Sequence, residues 1–410
     1  MSSVMRQKII IIGNSFTTRL GLIWSVSQFD YDIVVVVVGH YRKTAKKINP
    51  AKQIDCYSKN VKDVLYYNED DGKEGLVKLI LKECVNKEHK NIIIPSSDFT
   101  ASAIDDYQSL LKDYFLFPHI KYLEGAVSSW MNKNVQKNLA KKAGLLTPNS
   151  VIVEIKNKKY NIPQGIKYPC FTKPLSSLNG GKKCVRRCNN RDELQEVLDN
   201  AAGYGIPNIL VEDFISIDNE YAVLGFSNGK EVIIPGIIQF IKGSRSFPGI
   251  AMTGKVFPIK GYENLIEKFT KFIREIGFVG IFDIDFFESN GVFYFGELNL
   301  RVGGSAYAIT KMGVNLPSMF VRTMQGKSLD GMQQLIHGDA AYVNERLCFL
   351  DWYNNYISTK EYNKIVNTAD ISFISDDGDP APLHAYHKMI KKMYIKRFIK
   401  KMLRLEFRTK

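Results

Sequence analysis

The chain has 410 residues, of which 45% are apolar and 24% charged, with a formal net charge of +14 at pH 7. That length predicts two or three domains, and the composition is that of a globular protein rather than a disordered or fibrous one. The longest aliphatic runs, Ile9–Ile12 and Ile33–Val38, are far short of the ~20 residues that a membrane-spanning helix needs, and no export signal is expected.

In chain order, the N-terminal third alternates apolar strands with helical stretches. Ile9–Ile12 leads to the turn Gly13-Asn14-Ser15, then to a helix, then to Ile33–Val38; Asn91–Pro95 is followed by Ser96-Ser97-Asp98 and another helix. Strand runs separated by helices predict a parallel, doubly wound sheet, with ligands beyond the carboxyl ends of the strands near Gly13–Thr17 and Ser96–Thr100. A G-x-G-x-x-G fingerprint is absent from the first turn.

Ser129–Gly144 is predicted to be a helix, broken by Thr147-Pro148. Short strands are expected at Ser150–Glu154, Cys170–Lys173, Ile209–Glu212, Tyr221–Phe226 and Glu231–Gln239, with helices at Arg191–Gly203 and Glu263–Gly277. This irregular order predicts an α+β region. The six cysteines are scattered, as in a chain of reduced thiols, and Cys184 and Cys188 lack the second Cys or His pair that would complete a zinc site.

Three segments carry chemistry. Phe171-Thr172-Lys173-Pro174 ends a strand, and a loop with Ser177, Gly180 and Gly181 follows; glycine and small polar residues let backbone N–H groups reach phosphate oxygens, and Lys173 adds a point charge. Val211-Glu212-Asp213-Phe214-Ile215, followed by Glu220, offers backbone groups for an adenine edge and a carboxylate suited to ribose hydroxyls. The third segment runs from Gly280 to Pro317. An Asn290-Gly291 turn joins two strands, with Asp285 on the first and Glu297 and Asn299 on the second. Residues two apart share a strand face, so two carboxylates and an amide oxygen form a hard, oxygen-only site suited to Mg²⁺, with Arg301 extending that face. Asp283 shares the face of Asp285 and is the alternative ligand.

Taken in order, Asn132-Lys133, Thr147-Pro148, the FTKP strand with its Gly-rich loop, VEDFI with Glu220, Asp285 and ELNLRVGGS resemble the ATP-grasp superfamily over about residues 125–320. The similarity is to carboxylate–amine ligases of the carbamoyl-phosphate-synthase-like and D-aspartate-ligase-like groups. The resemblance implies an α/β and α+β architecture: an N-terminal Rossmann-like parallel-sheet domain (1–118), a linker helix and small lobe (119–215), a large lobe with the metal site (216–330), an extension (331–386) and a basic helix (387–410). It implies that Lys133 and Lys173 hold phosphates, that Glu212, Asp213, Phe214 and Ile215 form the adenine hinge, and that Glu220 holds ribose. Asp285, Glu297 and Asn299 then match the magnesium ligands (Mn²⁺ being the other candidate ion), and Arg301 steadies the transferring phosphoryl group. Leu300 departs from the proline common in E-x-N-P-R.

The implied activity is ATP-dependent joining of a small-molecule carboxylate, an amino acid by preference, to an amine through an acyl phosphate, releasing ADP and phosphate. Acid–thiol ligation and non-catalytic ATP binding by a membrane-tethered regulatory protein are the alternatives. Lys242, Arg245 and Lys255 are candidates for holding a substrate anion. Nine of the fourteen net positive charges fall in Lys388–Lys410, with Ile390, Tyr394, Ile395, Phe398, Met402 and Leu405 on one helical side. That pattern reads either as docking to an anionic membrane surface, with a cell-envelope precursor as acceptor, or as a helix packed on the body with a solvated basic face. A cytoplasmic chain, peripheral at the inner membrane face if it docks, and no nucleic-acid partner are expected; the sequence carries no signal for oligomeric state.

Overall fold

In the computed structural model of the chain, residues 6–40, 53–176, 178 and 184–406 are described, with side chains to Ile395. The first sheet is built from β1 (Lys8–Gly13), β2 (Asp32–Gly39), β3 (Val61–Asn68), β4 (Asn91–Pro95) and the short β5 (Phe115–Leu116), all parallel, in the order β3-β2-β1-β4-β5. Ile9 and Ile11 enter one core while Ile10 and Ile12 enter another, so β1 is buried on both faces and reads as an unbroken aliphatic run. Helices α1 (Phe16–Val26), α2 (Gly72–Cys84), α3 (Asp98–Asp106) and α4 (Gln108–Leu111) accompany it. Ser15 caps α1, and Ser97 and Thr100 form a reciprocal capping box on α3.

The predicted single helix over Ser129–Gly144 is instead a short α5 (Ala126–Ser129) and a separate α6 (Lys133–Lys142). The break follows from Asn132, whose side chain accepts from the Asn134 and Val135 amides and so starts a new helix at Lys133. Then come β7 (Ser150–Glu154), β8 (Cys170–Pro174), β9 (Arg186–Cys188) and β10 (Asn208–Asp213), an antiparallel sheet in the order β7-β10-β8-β9 backed by α7 (Arg191–Gly203). Cys170, Cys184 and Cys188 are buried in this lobe's core as free thiols.

A nine-stranded sheet follows. It runs through β11 (Asn219–Asn228), β13 (Ile237–Gly243), β14 (Ala251–Phe257), β15 (Phe278–Ser289) and β16 (Val292–Asn299), in the order β16-β15-β11-β13-β14. The strand predicted over Glu231–Gln239 is split into β12 (Val232–Ile233) and β13, with Pro235, which lacks an amide donor, between them. Helix α8 (Glu263–Ile276) packs Phe269, Phe272 and Ile273 onto the sheet, and Gly277 ends it in a left-handed conformation. After α9 (Ala306–Lys311) and α10 (Leu316–Met324), β17 (Ala340–Val343) and β18 (Ile371–Ser372) extend the same sheet beyond β14, flanked by α11 (Glu345–Tyr353) and α12 (Thr359–Thr368). Two strands, His119–Ile120 (β6) and Phe278–Val279 of β15, pair across this architecture.

One core joins the ends of the chain, uniting Phe16, Leu20 and Ile23 with Tyr307, Phe320, Tyr342, Phe349 and Tyr386. The last helix, α13 (Ala381–Glu406), lays Met389, Ile390 and Met393 against that core, and the Tyr394 ring lies 4.4 Å from that of Trp352. Met389, Ile390 and Met393 are thus partly covered by the protein, while Tyr394, set against Trp352 by one side, and Ile395 remain exposed. Phe398, Met402 and Leu405 have side chains outside the described residues. Among the described residues no helix is long and apolar enough to cross a membrane.

Candidate functional site

The hairpin β15–β16 sets Asp285 directly opposite Glu297 and Asp283 directly opposite Asn299. All four side chains therefore share one face, together with Glu220 on β11, since Ala222, two residues along, pairs with Asp285. Crowding like charges in a buried place has a clear consequence. Burial, then the neighbouring carboxylates Asp283 and Glu297, holds the Asp285 carboxyl well above its ordinary range, and burial followed by the opposing pull of Arg301 leaves Asp283 at about 6. Asp283 Oδ1 is buried with no hydrogen-bond partner.

This donor set fits a hard divalent cation: oxygen atoms only, one of them buried and unsatisfied. Among the described residues no three His, Cys, Asp or Glu side chains enclose a metal position by themselves. Mg²⁺ sites at nucleotides combine one or two protein carboxylates with waters and phosphates. Asp285, Glu297 and Asn299 would hold the ion, with Asp283 beside them.

Helix α6 ties this hairpin to the rest of the cleft through residues spaced i, i+3 and i+4, which lie on one helical face. Lys133 Nζ is 2.5 Å from Glu297 Oε1. Gln136 clamps the backbone of Leu298, between Glu297 and Asn299, by donating to its carbonyl (2.8 Å) and accepting from its amide (2.9 Å). Lys137 Nζ lies 2.6 Å from Glu212 Oε1 and donates to the Pro148 carbonyl at 2.7 Å. Glu212 Oε2 is in turn 2.8 Å from Lys173 Nζ, so one carboxylate spans two lysines. Lys173 and Glu212 are diagonal neighbours on β8 and β10, on the face turned away from the small-lobe core. Burial pulls the Lys137 ammonium below its ordinary pKa, against the opposing pull of Glu212.

Neither Lys137 nor Gln136 was singled out from the sequence; the signal available was the polar i, i+3, i+4 spacing after Asn132. Of the predicted hinge, the Asp213 amide donates to Asn149 O and the Phe214 amide to Pro169 O, so these two amides are spent inside the fold and cannot read adenine. The Phe214 ring carries the Arg187 guanidinium at 4.4 Å, and Asp213 accepts from Asn149. Ser177, Gly180 and Gly181 lie outside the described residues; the base of their loop is fixed by the Lys133 amide donating to Leu175 O and by a bridge between Asn132 and Ser176.

Arg301 reaches from the large lobe to the N-terminal sheet. Its Nε donates to Asp98 Oδ1 at 2.8 Å, its Nη2 to Asn299 Oδ1 at 3.3 Å and its Nη1 to Val302 O at 3.3 Å. Burial opposes its charge, and Asp98 and Asp283 outweigh that, raising its pKa. Asp98 follows β4 at its carboxyl end, where a ligand was expected, but its role as the partner of Arg301 was not legible. The other basic candidates do not converge here: Lys242 pairs with Glu361, Lys255 lies 2.6 Å from Asp339, and Arg245 is exposed, using its amide on Asp351.

Residues 138–312 match the family model of the ATP-grasp domain, a span containing Lys173, Glu212, Glu220, Asp285, Glu297, Asn299 and Arg301. The chain is 26% identical over 240 residues to the formate-dependent phosphoribosylglycinamide formyltransferase of Wolinella succinogenes, covering 56% of this chain and 57% of that protein. It is 24% identical over 196 residues to the carbamoyl phosphate synthase large chain of Gemmatimonas aurantiaca, covering 47% and 18%. The chain thus spans little more than half of the first relative and under a fifth of the second. In fold it is similar to N5-carboxyaminoimidazole synthetase from Staphylococcus aureus complexed with ADP (TM-score 0.61, 18% identity, 85% of this chain and 86% of that one). It is equally similar to L-amino acid ligase from Bacillus licheniformis (TM-score 0.60, 16% identity, 83% and 80%). The family model lies over the β15–β16 hairpin and over strands β8 and β10, so residues 138–312 of this chain match an ATP-grasp domain.

Proposed function

We propose that this chain is an ATP-dependent ligase that joins a small-molecule carboxylate to an amine through an acyl phosphate, releasing ADP and phosphate. The observation that carries this reading is the convergence, around one cleft, of Lys133 on Glu297, Lys173 on Glu212, and Arg301 on Asn299. Groups of these types suit the ends of a triphosphate: cations for its oxygens and an oxygen-lined place for its metal.

A carboxylate is a poor acylating agent because its leaving group would be oxide. Phosphorylation makes the leaving group phosphate, and an attacking amine then forms the amide. The γ-phosphorus–oxygen bond to ADP breaks as a bond to the carboxylate oxygen forms; the carbon–oxygen bond to phosphate breaks as the carbon–nitrogen bond forms, and the amine loses a proton. Lys133 and Lys173 bind and orient phosphate oxygens, and Arg301 opposes the charge that develops on the transferring group. Asp285, Glu297 and Asn299 would hold Mg²⁺, which would supply neutralisation of phosphate charge. Glu220, which shares the sheet face of Asp285, takes the ribose hydroxyls in this reading.

Met389, Ile390 and Met393 of α13 pack on the core, which favours small-molecule substrates over a membrane-held acceptor in this reading, although Tyr394 and Ile395 are exposed. The test is to incubate the full chain with Mg-ATP, single amino acids or other small carboxylates, and amines, and to identify the nucleotide product. ADP, together with a hydroxamate when hydroxylamine replaces the amine, supports the route. AMP and pyrophosphate, or ATP binding with no turnover for any pair of substrates, would refute it.

A further inference from the structure

The carboxyl ends of β1 and β4 are neighbours, with Ile12 registered to Pro95, and Ser96 donates to the Ile12 carbonyl from its amide (2.8 Å) and its hydroxyl (3.0 Å). The turns Gly13–Ser15 and Ser96–Asp98 therefore lie side by side. An arginine from the C-terminal half comes down on each. Arg301 meets Asp98 beyond β4. Arg346, in the first turn of α11, sets its guanidinium 4.6 Å from the centre of the Phe16 ring, the first residue of α1, and 6.0 Å from that of Phe247. Both arginines thus lie at the carboxyl edge of the parallel sheet, the edge at which open α/β sheets take ligands.

Their bonding differs. Arg301 is engaged by Asp98, Asn299 and Val302. Arg19, behind the first turn, spends its donors on Asp55 (2.7 and 3.1 Å), Gly13 O (2.7 Å) and Gln53 (2.8 Å). Arg346 has only its two aromatic neighbours; among the described residues no carboxylate or carbonyl accepts from it. A guanidinium carries five N–H donors, and aromatic rings stabilise its charge without replacing a bidentate acceptor. Burial, reinforced by the charge of Arg19, pulls its pKa below the ordinary arginine value. The carboxylate nearest in charge, Asp55, is already matched by Arg19.

The mount is rigid. Asp351, on the same helix, accepts from Ser244 Oγ (2.9 Å) and from the amides of Arg245 (2.8 Å) and Ser246 (2.7 Å), fixing the loop that carries Phe247. Tyr342, four residues before Arg346, meets Ser305, four residues after Arg301, at 3.3 Å. The strand leading to one arginine is thus tied to the loop leaving the other.

We propose that Arg346 anchors a second anionic group, a carboxylate or a phosphate, on a substrate of the ligase reading above, while the reacting group lies toward Arg301. The substrate class is accordingly an acid or amine bearing one anion beyond the reacting centre, such as a dicarboxylate, an amino acid acceptor or a phosphorylated amine. The unmatched guanidinium would be matched by its bidentate partner.

The test uses the full chain saturated with Mg²⁺ and β,γ-imido-ATP, which fills the triphosphate positions, and titrates succinate and inorganic phosphate in separate calorimetric arms. The wild-type protein should bind at least one of them saturably, and the arm that responds identifies the anion. Arg346→Gln should weaken that binding at least tenfold, and Arg346→Lys, which keeps the charge without the planar fork, about three- to tenfold. The affinity for imido-ATP should stay within twofold in all three proteins. Wild type that binds neither anion, or either variant binding as tightly as wild type, overturns the proposal; the lysine variant serves alone if the glutamine variant does not fold. Failure of wild type to bind imido-ATP would instead count against the ligase reading, and the same titrations without nucleotide then still decide the role of Arg346.

Discussion

Lys137 and Glu212 form a buried ion pair, with Nζ and Oε1 2.6 Å apart and the residues only 3% and 5% exposed. The pair locks α6 to β10, and through the second oxygen of Glu212 it also sets Lys173. Removing one partner of such a pair leaves an uncompensated charge away from water. Lys137→Ala, however, leaves Glu212 with Lys173 as its remaining cation, and should lower the unfolding free energy by about 2 kcal/mol and weaken ATP binding, as the counter-ion of Lys173 loses one of the contacts that fix it. Urea unfolding and nucleotide titration check this; a variant as stable as wild type would mean the pair is not formed.

Glu297→Gln should fold normally, because an amide still accepts from Lys133 and the hairpin backbone remains held by Gln136. ADP formation should fall on the order of 100-fold, as expected when the cation that neutralises phosphate loses an anionic ligand. Full turnover in this variant would refute the metal assignment.

Asp98→Asn tests the link between the N-terminal sheet and the phosphoryl site. Arg301 would lose its charged partner at 2.8 Å while retaining Asn299 and Val302. The expected result is about a tenfold drop in kcat, for the loss of a charge-assisted hydrogen bond of ~1.5 kcal/mol, with ADP affinity unchanged. Steady-state kinetics alongside ADP titration separate the two; a change confined to ADP affinity would contradict it.

Glu345 gives a pH dependence. Burial pushes its carboxyl up to about 7 from an ordinary 4.5, and its Oε2 accepts from the Phe373 amide at 3.1 Å. Between those values the folded chain keeps a proton that the unfolded chain has released, so stability falls as pH rises through that window and is flat, for this group, above it. Glu345→Gln keeps the hydrogen bond and abolishes the ionisation. Urea unfolding at pH 5 and pH 8 should show the variant gaining on wild type at the higher pH by on the order of 2–3 kcal/mol, with little difference at the lower.

The tail offers a last check. Ile390, Met393 and Tyr394 pack on the core that holds Trp352 and Phe349, so a chain ending at Tyr386 should lose at least about 2 kcal/mol of stability from exposed apolar surface. Scanning calorimetry of the two chains reads this directly. An unchanged melting temperature would return the apolar face to the solvent, and with it the membrane alternative.

Much of this molecule was legible from local pattern. The aliphatic runs of β1, β2 and β4 match their strands because a sheet buried on both faces needs no polar alternation. The Asn290-Gly291 turn, with both residues at positive φ, made the hairpin and hence the Asp285–Glu297 register readable. Pattern failed where a single residue competes with periodicity. Asn132 restarts a helix that hydrophobic spacing would continue, and Pro235 cuts a run of strand-forming residues.

Residue types and local spacing were enough to show which chemistry was present: oxygen ligands on one strand face, lysines near a glycine loop, a basic tail with an apolar side. Which charge meets which depends instead on long-range packing. Arg301 with Asp98 and Lys133 with Glu297 are separated by 203 and 164 residues, Lys137 and Glu212 by 75, and Tyr394 meets Trp352 from a different helix. The reason is physical. Strand alternation and helical spacing fix the direction of a side chain relative to its own element, whereas its partner is fixed by how the elements pack, and the cost of leaving a buried charge unmatched is settled only there.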